Sequence, residues 1–208
     1  MSYSKLVSYV KLSPNCNSPR NAQIDRITIH CVVGQASVES LGSLFANPER
    51  EASSNYGIGA DGRIACYVEE EDRSWCTGSR ENDHRAITIE VASDTKPPYA
   101  VNDKAYAALL DLCEDICRRH NMRLNYTGDK TGNMTLHKWF QATDCPGEFL
   151  ESRHPAIAAE VNRRLDKKPD VFYRVQCGAF RDRNNAVLMM NRLHKDGYED
   201  AFVVEVKK

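Results

Sequence analysis

The sequence predicts an α/β protein followed by a small βαβ unit. Three observations carry this reading. Two β-branched runs, residues 27–33 and 87–91, are interleaved with stretches whose apolar residues recur at helical spacing, at 102–116 and 157–165. A charged stretch, Asp166-Lys167-Lys168-Pro169-Asp170, then interrupts the pattern. Beyond it, residues 171–208 read as strand, helix, strand, a unit too small to bury much core by itself. The expected organisation is a main domain over 1–165, a linker over 166–170 and an appended unit over 171–208.

Composition narrows the function classes. The 208 residues are 41% hydrophobic and 27% charged, as in globular proteins. A net charge of −1 with no basic stripe argues against a nucleic-acid partner. No run approaches the ~20 apolar residues of a membrane span, so no membrane partner is expected. Residues 1–14 contain no apolar run long enough for a signal peptide, so synthesis in the cytoplasm is expected. Eight cysteines without an export signal read as reduced thiols. Cys113 and Cys117, one helical turn apart, read as small buried apolar groups.

Taken in order, residues 1–23 hold Pro14, Asn15, Asn17, Ser18 and Pro19 and predict an irregular lead-in. In the first strand Ile27, Ile29 and Cys31 share one face, and Thr28 and His30 the other. Ser37 is a plausible cap for a short helix carrying Val38, Leu41, Leu44 and Phe45. Asp61-Gly62 between two apolar runs predicts a hairpin. The acidic run 69–72 reads as a solvated loop, and residues 75–84 as another. The second strand repeats the first: Ile87, Ile89 and Val91 face one way, Thr88 and Glu90 the other. With the two strands in one sheet and in matching register, His30 and Glu90 project from the same face. Asn102 or Asp103 begins a helix that ends near His120, and Pro155 begins another. In the tail, Ala186, Met189, Met190 and Leu193 form a helical stripe ended by Gly197.

The chemistry gathers around residues 135–147, T-L-H-K-W-F-Q-A-T-D-C-P-G. Imidazole and thiolate are good zinc ligands, and His137 and Cys145 are separated as in a loop folding back over a metal. His30 supplies a third ligand. Three protein ligands leave a fourth position for water, the pattern of a catalytic rather than a structural zinc site. Glu90 is the candidate proton carrier and Tyr56 the candidate hydrogen-bond donor to the oxyanion. Trp75 and Trp139 suit either a sugar-binding groove or core packing.

Four ordered motifs add a resemblance: I-T-I-H at 27–30, S-S-N-Y-G-I-G-A-D-G-R-I at 53–64, N-D-H-R-A-I-T-I-E at 82–90 and L-H-K-W-F-Q-A-T-D-C-P-G at 136–147. Over roughly residues 22–165 the chain resembles the zinc-dependent N-acetylmuramoyl-L-alanine amidases of phage endolysins and bacterial autolysins, whose fold the peptidoglycan recognition proteins share. The resemblance implies a mixed β-sheet flanked by helices. It also implies hydrolysis of the amide between N-acetylmuramic acid and the L-alanine of the stem peptide, in bacterial peptidoglycan. It assigns zinc to His30, His137 and Cys145, and catalytic positions to Tyr56, Glu90 and Thr143. Thr143 falls where some members have lysine, and Cys76 where many have histidine. The tail, with Y-R-V-Q-C-G-A-F-R at 173–181 and L-H-K-D-G-Y at 193–198, looks like half of a sporulation-related (SPOR) glycan-binding domain. That resemblance implies a homodimer pairing two tails, and the pair of resemblances implies action on the wall after release from the cell.

Overall fold

The computed structural model describes residues 2–167 and 175–206. It falls into two compact units, Met1–Lys168 and Pro169–Lys208.

The first unit is built on eight strands: β1 (Val7–Val10), β2 (Cys16–Asn17), β3 (Arg26–Cys31), β4 (Tyr56–Ile58), β5 (Ile64–Cys66), β6 (Arg73–Ser74), β7 (Ala86–Val91) and β8 (Met134–Thr135). Six form one sheet in the order β1-β5-β4-β7-β3-β8, and β2 pairs with β6. Within the large sheet only β4 and β5 run antiparallel, joined by the expected Asp61-Gly62 hairpin. The other pairings are parallel. The lead-in is therefore not wholly irregular. β1 adds a strand to the sheet edge beside β5, and backbone pairing there outweighs the turn-rich composition that follows it.

Four helices belong to this unit: α1 (Val38–Phe45), α2 (Arg80–Arg85), α3 (Asp103–Arg119) and α4 (Gly147–Asp166). Ser37 caps α1 and Asn102 caps α3, each accepting a bond from a backbone N–H of the first turn. α3 and α4 cover one sheet face. There Leu109, Leu112, Cys113 and Ile116 of α3 meet Ile157 and Val161 of α4 over Ile27, Ile29, Ile87 and Ile89. α1 covers part of the other face with Val38, Leu41 and Phe45 against Ala65 and Tyr67.

Two loop expectations are corrected here. Residues 80–85 form α2, capped by Ser79. The acidic run is not solvated throughout: Glu71 is exposed, but Glu70 is 2% exposed and bonded to Tyr56, Arg119 and His120. A buried carboxylate is stable when paired this fully, and its partners come from elements distant in sequence. Helix α4 also begins earlier than expected and carries Pro155 inside it. Pro155 has no N–H for the Glu151 carbonyl, and next to it Arg153 and His154 donate side-chain bonds to the carbonyls of Phe149 and Leu150.

The second unit contains α5 (Arg183–Lys195), where the helical stripe placed it, ended by Gly197 at φ +92°. The expected strands are not seen: residues 175–177 and 201–206 lie in no ladder, and 171–174 fall outside the described residues. A lone strand–helix–strand unit offers no neighbour on which to complete a sheet.

Candidate active site

The polar face of β3 and β7 is a buried layer. Thr28 bonds Thr135 at 2.7 Å and receives the Asn82 amide at 3.0 Å. Thr88 bonds Ser74 at 2.7 Å. β2, β6 and α2 supply the cover, so the Thr-x-His and Thr-x-Glu alternations point into protein rather than water. At the ends of this layer stand His30 and Glu90, paired in register across the two strands.

His30 is wholly buried. Its Nδ1 lies 3.4 Å from Cys145 Sγ and its Nε2 lies 3.3 Å from Cys76 Sγ. The ring centroid of His137, in the single helical turn that follows β8, is 4.9 Å from that of His30. The Lys138 N–H donates to the Cys145 carbonyl at 3.1 Å, which closes the loop between the two predicted ligands. Gly147, the first residue of α4, has φ +80°, and a Cβ there would meet the Tyr99 ring at 2.7 Å. Only glycine lets the helix start so close behind Cys145.

One nitrogen each of His30 and His137 and the sulfur of Cys145 lie within 4.8 Å of one another. His30, Cys76 and Glu90 form a second set by the same measure. A thiol with two imidazoles is a borderline-soft donor set that suits zinc. Burial, with His137 alongside, holds the His30 imidazole well below its usual range, so it is neutral and has a lone pair to give. A hydrogen bond with the Cys31 thiol, together with burial, pushes the Cys145 thiol up. Burial, then the Cys31 charge, pushes the Glu90 carboxyl up to about 8, with Arg50 opposing. Glu90 Oε2 is sealed from solvent and has no hydrogen-bond partner among the described residues.

Above the cluster opens a cleft of about 390 Å³. Glu90, His137, Thr143, Asp144 and Cys145 line its chemical end. Leu41, Leu44 and Phe45 of α1 form an apolar wall, with Arg50 and Tyr99 at the sides. Thr143 Oγ1 accepts the Cys145 N–H at 3.2 Å.

Three expected site residues lie elsewhere. Tyr56 is a correction. It pairs with Ile89, not Glu90, across β4 and β7, so its ring enters the apolar core on the opposite sheet face. There its hydroxyl donates to Glu70 and accepts the Ser4 N–H at 2.9 Å. Neither tryptophan lines the cleft. Trp75 donates to Asn17 at 2.8 Å, and Trp139 stacks on Tyr126 at 6.1 Å. Both are held by packing at those positions.

Residues 20–148, more than half of the chain, match the N-acetylmuramoyl-L-alanine amidase family. The chain belongs to that family. This amidase also carries a match to the SPOR domain over residues 169–208. No curated protein sequence is matched. Among solved structures, the catalytic domain of XlyA superposes with TM-score 0.58 at 18% identity, covering 74% of the amidase and 97% of that chain. The endolysin LysCS from Clostridium intestinale gives 0.55 at 19%, covering 75% and 93%. Staphylococcus aureus AmiA gives 0.59 at 15%, covering 79% and 87%. These likenesses bear on the fold: a mixed sheet between helices, as the motifs implied.

The amidase's site also contains groups that the motifs did not single out. Cys31 faces Cys145 because it ends β3 one residue beyond His30. Arg50 follows α1 on a short turn, with no ion-pair partner among the described residues. Period-2 alternation pointed to neither, since both sit where regular structure ends.

Proposed function

We propose that His30, His137 and Cys145 hold a zinc ion at the base of the cleft, and that Glu90 carries the proton in hydrolysis of the amide between N-acetylmuramic acid and L-alanine. The observation behind this reading is the convergence of three ligand atoms within 4.8 Å beside a carboxyl oxygen that has no hydrogen-bond partner among the described residues. Zinc bound there would supply Lewis acidity to a water or carbonyl oxygen near neutral pH.

The chain's own residues supply the rest. His30 is fixed from both sides of its ring. Cys145 is held by the Thr143 bond to its N–H and by the Cys31 thiol. Glu90, destabilised as an anion by burial, is suited to take a proton from water and return it to the leaving amine. Thr143 accepts with its oxygen, which leaves its hydroxyl hydrogen free to donate to the carbonyl oxygen of the scissile amide. The apolar wall from α1 shields that bond from bulk water. Release of free stem peptide from purified peptidoglycan, abolished by a chelator and restored by zinc, tests the reading. Undiminished release with the chelator present overturns it.

The same reading treats residues 1–165 as the catalytic domain, 166–170 as a linker and 171–208 as a wall-binding tail. The action is that of an endolysin or autolysin at the cell wall. No helix among the described residues is long and apolar enough to cross a membrane. Helix α5 buries no residue, and Leu188 and Val206 are 66% and 81% exposed. That apolar surface supports pairing of two tails in a homodimer.

A further inference from the structure

We infer that Cys76 is a positioning residue for the metal site: its sulfur receives the Nε2–H of His30 and so keeps the Nδ1 lone pair turned toward Cys145 and His137. The inference rests on the proposal that His30 is a metal ligand, and it assigns a task to a residue outside that ligand set.

The argument is one of hydrogen-bond accounting. A neutral imidazole has one N–H and one lone pair. Nδ1 of His30 is the nitrogen beside Cys145, at 3.4 Å, so a ligand role places the lone pair on Nδ1 and the hydrogen on Nε2. His30 is wholly buried, and a buried N–H without an acceptor is costly. Among the described residues, the contact made by Nε2 is Cys76 Sγ at 3.3 Å. In most histidine–metal sites a carboxylate or carbonyl accepts this hydrogen, fixes the tautomer and sets the ring angle. Here sulfur stands between: Cys76 Sγ lies 4.0 Å from Glu90 Oε1, so the thiol accepts from His30 and donates toward the carboxylate. The chain Nε2–H, Sγ–H, Oε1 joins a proposed ligand to the proposed proton carrier.

The position of Cys76 is itself built. Its backbone N–H donates to Asp83 Oδ2 at 3.1 Å, and the next residue, Thr77, donates to the same carboxylate through its N–H and its hydroxyl. Asp83 lies in α2, which Ser79 caps. Three bonds from one buried carboxylate thus hold the loop that delivers the sulfur to His30.

The test uses the full chain and two substitutions, Cys76→Ala and Cys76→Ser, with Cys145→Ser as a reference. Zinc affinity is measured by competition with a chromogenic chelator, and folding of each metal-free variant by circular dichroism. Cys76→Ala is expected to weaken zinc binding by about 10–100-fold, the usual range for loss of such a partner. Cys76→Ser, whose hydroxyl accepts the same hydrogen, is expected to recover most of that loss. In the cobalt-substituted protein the thiolate charge-transfer absorption is expected to vanish with Cys145→Ser and to persist with Cys76→Ser. Unchanged zinc affinity in Cys76→Ala, with binding lost in Cys145→Ser, overturns the inference and leaves the ligand set standing. Loss of the cobalt–thiolate band in Cys76→Ser, or a second zinc equivalent that disappears in it, also overturns it, because Cys76 would then be a ligand. Full zinc affinity in Cys145→Ser instead overturns the ligand set itself.

Discussion

His30 on β3 and Glu90 on β7 stand opposite one another in a parallel ladder, at matching positions of the repeated segments Ile-Thr-Ile-His and Ile-Thr-Ile-Glu. One sheet therefore fixes the spacing between a proposed metal ligand and a proposed proton carrier. Strands are stiffer than loops, and a site built across two central strands keeps that spacing whether or not substrate is present.

The pairing makes Glu90→Gln informative. The amide keeps the shape and loses the proton carrier. Turnover on purified peptidoglycan is expected to fall by about 10²–10⁴-fold while zinc content stays at one equivalent. Metal analysis beside a stem-peptide release assay checks both halves.

Cys145 gives the metal affinity a pH dependence. Its thiol is pushed up by the Cys31 bond and by burial, so the metal-free site holds a proton that binding must displace. Below the thiol pKa, zinc affinity is expected to rise about tenfold per pH unit from this group alone. Chelator competition at pH 6, 7 and 8 measures the slope, and an affinity that does not rise over that range counts against Cys145 as a ligand.

Tyr56 is expected to behave as a structural residue. Tyr56→Phe removes the hydroxyl that links Ser4 to Glu70, on the sheet face away from the cleft. A stability loss of about 1–3 kcal/mol is expected, with kcat/KM unchanged. Urea unfolding and steady-state assays separate the two effects; a large fall in kcat/KM would return Tyr56 to the chemistry.

Glu70 predicts acid sensitivity. Burial raises its pKa, but bonds from His120, Arg119 and Tyr56 outweigh burial and hold it at about 2, against 4.5 when free. The folded pKa is the lower one. Its contribution is therefore complete above pH 4.5 and drains away as pH falls toward 2. The two pKa values correspond to roughly 3 kcal/mol as an upper figure. Unfolding free energies at pH 5 and pH 3 are expected to differ by less in Glu70→Gln than in the parent.

The tail is expected to act on binding rather than on chemistry. Deleting residues 169–208 should reduce retention on insoluble peptidoglycan and leave turnover of a short soluble muropeptide unchanged. Sedimentation at micromolar concentration should show a dimer that this deletion abolishes; a monomer in both cases would sink the paired-tail proposal.

Much of the site is legible in the sequence because strand alternation is rigid. Thr28 and His30 must share a face, as must Thr88 and Glu90, and the identical segments align without a gap. Tyr56 was not legible in this way. It lies in a three-residue strand, and a shift of one residue in its pairing reverses the face. The Tyr56–Ile89 register sets that face, and no local feature around Tyr56 encodes it. Glu70 reads as solvated within Glu69-Glu70-Glu71-Asp72 because Arg119 and His120 arrive from the far end of α3. Pro155 looked like a helix start, since a proline inside a helix removes a ladder bond; the helix continues through it because Ile157 and Val161 beyond it pack into the core, which no local feature shows.

The sequence alone determined the α/β alternation, the helix cap at Ser37, a helix start at Asn102 or Asp103, the hairpin at Asp61-Gly62 and the family to which four ordered motifs point. Local geometry is enough for each: a period, a capping side chain, a residue tolerant of positive φ. Tertiary structure alone decided which thiols meet His30. Cys76 and Cys145 are far apart along the chain, and an Asp83-anchored loop and a glycine-started helix bring their sulfurs to the two nitrogens of one imidazole, while Cys31, at the end of β3, meets Cys145. Contacts of that kind depend on how elements pack, and packing is a property of the whole chain rather than of any segment.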